Sequence, residues 1–377
     1  MNDWNPWSRW GVSIFSPRVS RPDPWLLMAV AGLAGIGLIM VFNASYFYAL
    51  NRFDDPYFFL RKQLFALVLG GGLLAAALRV RVRWLERAAY FLMIVAVILL
   101  VVVLVVGVVR GGARRWLPLG PILFQPSELA KVALVFYLAR SLVEHRARIG
   151  SFWRGVVPHL LVVGLVAALI AVQPDFATAL ILCAVMGVML YGGGARLWHL
   201  GLLAVAAVPV VAAGIWVAPY RLRRVLALLD PMAYREDTAF QLVQSMIAFG
   251  SGGLTGAGLG QGDQKMGFLP EVHTDFIFSL VGEDLGVFGA IFVLGLFAVI
   301  AVRGFRIAAR HPDPFASLLA FGLTSMLLIQ AGVNIGVAIG LFPTTGLALP
   351  FVSYGGSALI IGMLQVGILA ALSRLSS

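Results

Sequence analysis

The sequence predicts an all-α polytopic membrane protein, with about ten transmembrane helices and one long extracytoplasmic loop between the seventh and eighth. Three observations carry this prediction. Hydrophobic residues fill 60% of the 377 positions and charged residues only 12%, whereas a soluble domain keeps about a quarter of its residues charged. Mean hydropathy is +0.94. The apolar residues also gather into runs of roughly twenty, the length at which a helix crosses a bilayer.

The runs fall at 25–44, 58–78, 88–109, 127–143, 156–172, 176–192, 197–217, 275–302, 315–340 and 354–373. Residues 1–24 mix aromatic and basic side chains (Trp4, Trp7, Arg9, Trp10, Phe15, Arg18, Arg21) and read as a cytoplasmic, interfacial segment. No small-residue cleavage site follows the first run, so that run reads as an uncleaved anchor. Residues 25–377 then form a single transmembrane domain without an evident internal repeat. Its long outer loop, about 218–274, contains an amphipathic run from Arg221 to Leu229, a helix-like run from Thr238 to Phe249 and a glycine-rich piece. The single cysteine, Cys183, lies in an apolar run, which excludes an internal disulfide framework and a cysteine-rich metal site.

Orientation follows from the arginines. The net charge of +11 sits in short clusters between apolar runs, a pattern of membrane topology that argues against nucleic acid as a partner. One side carries Arg79, Arg81, Arg83, Arg87, Arg140, Arg146, Arg148, Arg154, Arg196, Arg303, Arg306, Arg310 and Arg374. The positive-inside rule makes that side, with both termini, cytoplasmic. The acidic residues lean the other way, so the outer face is expected to carry the chemistry.

Four polar motifs interrupt the hydrophobic pattern: Gln125-Pro126-Ser127-Glu128, Gln173-Pro174-Asp175-Phe176, His273-Thr274-Asp275-Phe276 and Ser353-Tyr354-Gly355-Gly356. Each opens a helix that enters from the outer face, so four helix N-termini with their free N–H groups are expected to gather there and favour anions. First-turn acids are also ordinary caps. However, each charge well inside a bilayer costs roughly 3 kcal/mol on insertion scales, so the set must pair or line a wet cavity. Glu128 and Lys131, three apart, share a helix face and can form an ion pair. Arg114 and Arg115 beside Trp116, and Arg221 and Arg224 beside Tyr220, read either as interfacial anchors or as phosphate contacts. Gly256, Gly258 and Gly260 read as turn glycines, since no strand–helix context for a nucleotide loop surrounds them. Within Lys265–Asp284, Lys265 and Glu271 read as substrate-shaping residues, His273 as a hydrogen-bonding neighbour, and Glu283 and Asp284 as packing partners deeper in the span.

These motifs carry a resemblance. Gly112-Ala113-Arg114-Arg115-Trp116, Phe124 through Lys131, Gln173-Pro174-Asp175, Leu269 through Phe278, and Gly340 through Ser357 resemble the SEDS family, the FtsW, RodA and SpoVE proteins of division, elongation and sporulation. The likeness covers the chain from the first span onward. Gln173-Pro174-Asp175-Phe176, Glu283-Asp284-Leu285-Gly286 and Pro343-Thr344 are closer to the FtsW-like branch. Ala177 stands where the family often has glycine, Ala358 where a second serine is common, and Asn43-Ala44-Ser45 replaces its serine-rich end of helix one.

The resemblance implies a peptidoglycan glycosyltransferase that polymerises lipid II, an undecaprenyl-pyrophosphate-linked disaccharide, at the outer face of the bacterial cytoplasmic membrane. It implies that Asp275 is essential, that Glu128 and Lys131 line the same cavity, and that a class B penicillin-binding transpeptidase is the partner. A carboxylate suits the general base that takes the acceptor hydroxyl's proton, and Asp275 is the choice. Lys131, Arg114, Arg115, Arg221 and Arg224 are candidates to meet the pyrophosphate leaving group. Gln125, Ser127, Asp175, Thr274, Ser353 and Tyr354 complete the expected substrate site. The sequence points to no definite cofactor; a divalent cation, Mg2+ or Mn2+, held by carboxylates is left open. Two other readings stay open: a lipid II flippase, which would need alternating access and polar groups at the midplane, and the elongation polymerase.

Overall fold

The computed structural model describes residues 21–110, 112–120, 122–262 and 274–374. The expected bundle is there. Seven helices come first: α1 (Pro24–Phe53), α2 (Phe58–Ala77), α3 (Val82–Val106), α4 (Pro126–Glu144), α5 (Val157–Val172), α6 (Phe176–Gly192) and α7 (Leu197–Trp216). Two shorter ones, α8 (Pro219–Leu229) and α9 (Phe240–Gly252), lie in the predicted outer loop. The last three are α10 (Ile277–Arg310), α11 (Pro314–Ala338) and α12 (Gly356–Ser373). Eight of the helices are long and apolar enough to cross a membrane. The other two expected spans, α4 and α6, are present as helices; α6 is a shorter apolar helix, and α4 carries Glu128, Lys131, Arg140 and Glu144.

Three features depart from the apolar pattern. Helix α1 runs nine residues past its expected end at 44. A small antiparallel sheet, β1 (Val108–Arg110), β2 (Ala113–Leu119) and β3 (Ile122–Phe124), fills what read as a plain connection between α3 and α4. Helix α10 is broken at Gly286, whose φ of 67° and ψ of −164° lie in a region open essentially to glycine alone.

The helices alternate in direction, and side chains tie each end of the bundle. At one end Arg303 bonds Asp23 at 2.6 Å, Asp23 N–H donates to Ser373 Oγ at 2.9 Å, and Arg374 donates to the Leu78 carbonyl at 3.2 Å. The starts of α4, α6, α10 and α12 meet at the other end. Helix α12 packs most extensively on α2, α3 on α4, and α11 on α10. Helix α11 is the buried centre: nearly every residue from Phe315 to Leu327 is buried.

The break in α10 has a defined cause. Residues Ile277–Asp284 are buried on every side, whereas the helix beyond Gly286 is half exposed as a membrane span. The glycine-rich loop after α9 wraps the break. Ala257 N–H donates to Glu283 O at 2.9 Å, Gly258 N–H to Asp284 O at 3.1 Å, and Val287 N–H to the Gly253 carbonyl at 3.0 Å. Backbone groups freed by a break at membrane depth must be re-satisfied by protein, and this loop does it. The approach leaves no room for a side chain: a Cβ on Gly286 would lie 2.4 Å from Gly256 N. The residues that read as turn glycines are therefore a clasp on α10.

Gly286→Ala is expected to destabilise the protein by at least about 1–3 kcal/mol, seen as a lowered thermal midpoint in detergent. Gly295→Ala, on the same helix with open space around its Cα, should not. Equal midpoints for the two variants would show that the break can be straightened at no cost.

Candidate active site

Sequence places a polar motif at the start of four helices, and the fold brings three of those starts into direct hydrogen-bond contact. Gln125, just before α4, donates its N–H to Ser357 Oγ on α12 at 3.1 Å. The Gln125 amide reaches Ser127 Oγ at 3.0 Å and the Asp175 carboxylate at 3.5 Å. Asp175 caps α6 by accepting from Thr178 N–H at 3.3 Å, so the capping role weighed for it is present. Ser357 closes the knot by donating to the Leu123 carbonyl at 2.7 Å.

One turn into α4 lies a buried ion pair. Lys131 Nζ sits 2.9 Å from Glu128 Oε1 and is only 1% exposed. Its second partner is the Gln330 Oε1 of α11 at 2.6 Å. An unpaired ammonium at this depth would be strongly disfavoured, and two oxygens within hydrogen-bond reach remove most of that penalty. Gln330 in turn donates to the Ala348 carbonyl at 2.9 Å. One turn further, Asn334 donates to the carbonyls of Asp275 at 2.9 Å and Leu347 at 2.5 Å. The fourth motif thus joins the site through α11.

Asp275 stands immediately before α10, half-buried, with its carboxylate facing Gly346 of the α11–α12 connection. Arg224 of α8 approaches from the loop side and donates to the Thr344 carbonyl at 2.8 Å. Burial pulls the Arg224 pKa below the ordinary guanidinium value and Arg115 adds repulsion, while Tyr220 and the Asp275 carboxylate oppose the shift. Arg224, Arg115 and Asp275 therefore share one electrostatic neighbourhood.

The other arginines are committed to the frame. Arg115 Nε donates to the Gln173 carbonyl at 2.8 Å, fastening β2 to the α5–α6 corner. Arg114 turns to the last carbonyls of α3, donating to Val105 O at 3.2 Å. Arg221 lies 4.6 Å from the Phe176 ring and donates to the Gly214 carbonyl at 2.8 Å, holding α8 against α6 and α7. Ser353 accepts from Leu349 N–H at 2.9 Å inside a turn, and Tyr354 packs edge-on against Phe59. Thr274 is half-buried beside Asp275. Lys265, Glu271 and His273 lie outside the described residues.

Asp284 accepts from Gly260 N–H at 3.3 Å and from the Asn43 amide, and Glu283 beside it is 2% exposed. These acids belong to the clasp around Gly286. Asn43, the departure at the end of helix one, is what reaches Asp284.

Among the described residues no three His, Cys, Asp or Glu side chains converge as a metal would need. The Glu128 carboxylate faces an ammonium that would repel a cation, and Asp175 is occupied with the cap. The described donor set does not fit a divalent ion. Gln330 and Asn334 did not emerge from sequence reading. Their signal was present as two amides four residues apart inside an otherwise apolar span.

Fold and site together define a multi-pass membrane protein with a cluster of charged and polar side chains at one end of its bundle. The chain belongs to the FtsW/RodA/SpoVE family of cell cycle proteins, whose model matches residues 24–377. It is 42% identical over 357 residues to the "probable peptidoglycan glycosyltransferase FtsW" of Geobacter metallireducens, covering 94% of this chain and 95% of that one. It is also 42% identical to the stage V sporulation protein E of Bacillus subtilis over 366 residues, covering 95% and 98%. Among solved structures, a chain of a peptidoglycan synthase complex that coordinates polymerization and crosslinking superposes with a TM-score of 0.79 at 33% identity, covering 94% and 98%. The rod-shape-determining protein RodA of Thermus thermophilus superposes with a TM-score of 0.70 at 32% identity, covering 94% and 97%.

Glu128→Ala strands the Lys131 ammonium and is expected to cost about 3–5 kcal/mol. Adding Lys131→Met should return much of it. A thermal-unfolding cycle over the two singles and the double checks this; strictly additive losses would mean the pair is not coupled.

Proposed function

We propose that this protein is a peptidoglycan glycosyltransferase that polymerises lipid II at the outer face of the cytoplasmic membrane during cell division, with Asp275 as its general base. The observation that carries the reading is the approach of Arg224 and the Lys131–Gln330–Asn334 network to Asp275, at the end where helix N-termini gather. The names of the relatives support the reaction class, with FtsW proteins prominent among them.

The chemistry follows from the arrangement. The acceptor hydroxyl attacks the anomeric carbon of the donor sugar as the bond to the pyrophosphate oxygen breaks. Asp275 takes the hydroxyl proton, and negative charge develops on the departing polyprenyl pyrophosphate. Arg224 and the N–H groups at the helix starts would stabilise that charge, while Arg115, bonded to the α5–α6 corner, adds only to the local positive potential. Lys131 reaches the same region through Gln330, with Glu128 as its ion-pair partner. Gln125, Ser127 and Asp175 shape the wall formed by α4, α6 and α12. A polyprenyl chain needs a lipid-facing route to the site, which accounts for a sugar-transferring enzyme built from membrane helices.

The reading extends to the cell. The arginine distribution supports a cytoplasmic location for both termini, and the likeness to a chain of a synthase complex supports a class B transpeptidase as partner.

The purified protein, with and without that partner, is given labelled lipid II and the products are resolved on a gel. Wild type is expected to form glycan chains and Asp275→Asn to lose at least about 100-fold in rate, the usual share of general-base catalysis. Equal polymer from both would remove Asp275 as base. Absence of polymer from either, with lipid II crossing liposome bilayers, would establish a flippase.

A further inference from the structure

Helix α11 crosses the middle of the bundle, and two of its side chains join the walls of the site together. Thr324 and Ser317 bond carbonyls of α11 itself and of α10. Gln330 and Asn334 instead reach three elements at once: α4 through Lys131, the start of α10 through the Asp275 carbonyl, and the α11–α12 connection through Ala348 and Leu347. Both are deeply buried, Gln330 6% exposed and Asn334 1%. Four residues apart, they lie on one face of the helix, one turn above the other.

The chemistry of the partners fixes both amides. An ammonium only donates, so Gln330 must present its oxygen to Lys131 and its NH2 to Ala348. Carbonyls only accept, so Asn334 must turn its NH2 to Asp275 and Leu347. This spends the Asn334 donors and leaves Oδ1 buried with no hydrogen-bond partner among the described residues. A buried acceptor without a donor costs roughly 1–3 kcal/mol, so the side chain is held against its own preference by the two bonds it donates. Leucine, of similar size, would remove that unmet acceptor but take the donor from the Asp275 and Leu347 carbonyls, so what Asn334 adds is the tie between those two backbone segments.

We propose that Gln330 and Asn334 form an amide ladder that fixes Asp275 and Lys131 relative to one another, making them positioning residues of the transferase. The proposal rests on the function assigned above. Neither side chain needs to touch substrate. Asn334 holds the backbone from which the Asp275 carboxylate projects, Gln330 holds the ammonium, and the rigid turn of α11 sets their separation. Misplacing a reacting group by about 1 Å can cost two orders of magnitude in rate with little change in binding.

The test uses the full-length protein in nanodiscs, with its transpeptidase partner and lipid II, and two readouts. Asn334→Leu and Gln330→Leu are expected to keep KM within about threefold while kcat falls about 100-fold. Gln330→Glu, which restores an acceptor for the ammonium, should recover at least about tenfold over Gln330→Leu. Ser325→Ala, a buried change on the same helix away from the ladder, should match wild type. The second readout is amide hydrogen exchange across 274–279, expected to quicken about tenfold or more in Asn334→Leu as its anchor is lost. If Asn334→Leu does not fold, Asn334→Ser takes its place in both measurements. A folded ladder variant with kcat within threefold of wild type, or with unchanged exchange, overturns the proposal. Should wild type itself make no polymer, the transferase reading fails, and exchange alone then decides whether the ladder exists.

Discussion

A lysine ammonium buried in a membrane bundle sets the terms for everything around it. Lys131 is 1% exposed and survives there because Glu128 lies three residues before it and Gln330 faces it from α11. Both partners are needed for different reasons. The carboxylate cancels the charge, and the amide oxygen satisfies a second N–H without adding charge. This requirement fixes the register of α4 against α11. Helical spacing then carries it one turn to Asn334, and so to the backbone of Asp275. The position of the candidate base is thus tied to a charge on a different helix.

A second constraint works on the same carboxylate from the other side. Because Gly286 breaks α10, the short segment Ile277–Asp284 can lie buried among its neighbours while the rest of the helix spans the membrane. The glycine clasp pins that break, Ser245 of α9 bonds the Ala338 carbonyl, and the 218–262 stretch becomes part of the wall of the site. Arg224 is delivered to Asp275 by this docking. A straight α10 with a free outer loop would present the same residues without bringing them together.

The bundle was legible because bilayer length is written in composition: each of the ten expected spans is a helix within a few residues, apart from the long ends of α1 and α10 and the early start of α3. The Glu128–Lys131 pair was legible from spacing, and the helix-like runs at Arg221–Leu229 and Thr238–Phe249 from pattern. The break at Gly286 was hidden because glycine is common in membrane helices and only its φ and ψ distinguish a break. The sheet between α3 and α4 was hidden because its strands have three, seven and three residues, too few for an alternating pattern to register. Gln330 and Asn334 were passed over because attention to charge inside the membrane overlooks neutral amides. The sequence offered Arg114 and Arg115 as equivalents; in the fold one caps α3 and the other clamps the α5–α6 corner.

A charge, an amide ladder and a broken helix thus assemble the proposed reaction centre at one end of a membrane bundle. The central claim is spatial: an acceptor hydroxyl meets Asp275 while the pyrophosphate meets the cations. A cryo-electron microscopy structure of the Asp275→Asn variant with lipid II bound tests this most directly. The account predicts a sugar hydroxyl within about 3.2 Å of the residue 275 side chain and pyrophosphate oxygens beside Arg224. A headgroup lodged at the opposite end of the bundle, or far from residue 275, would contradict it.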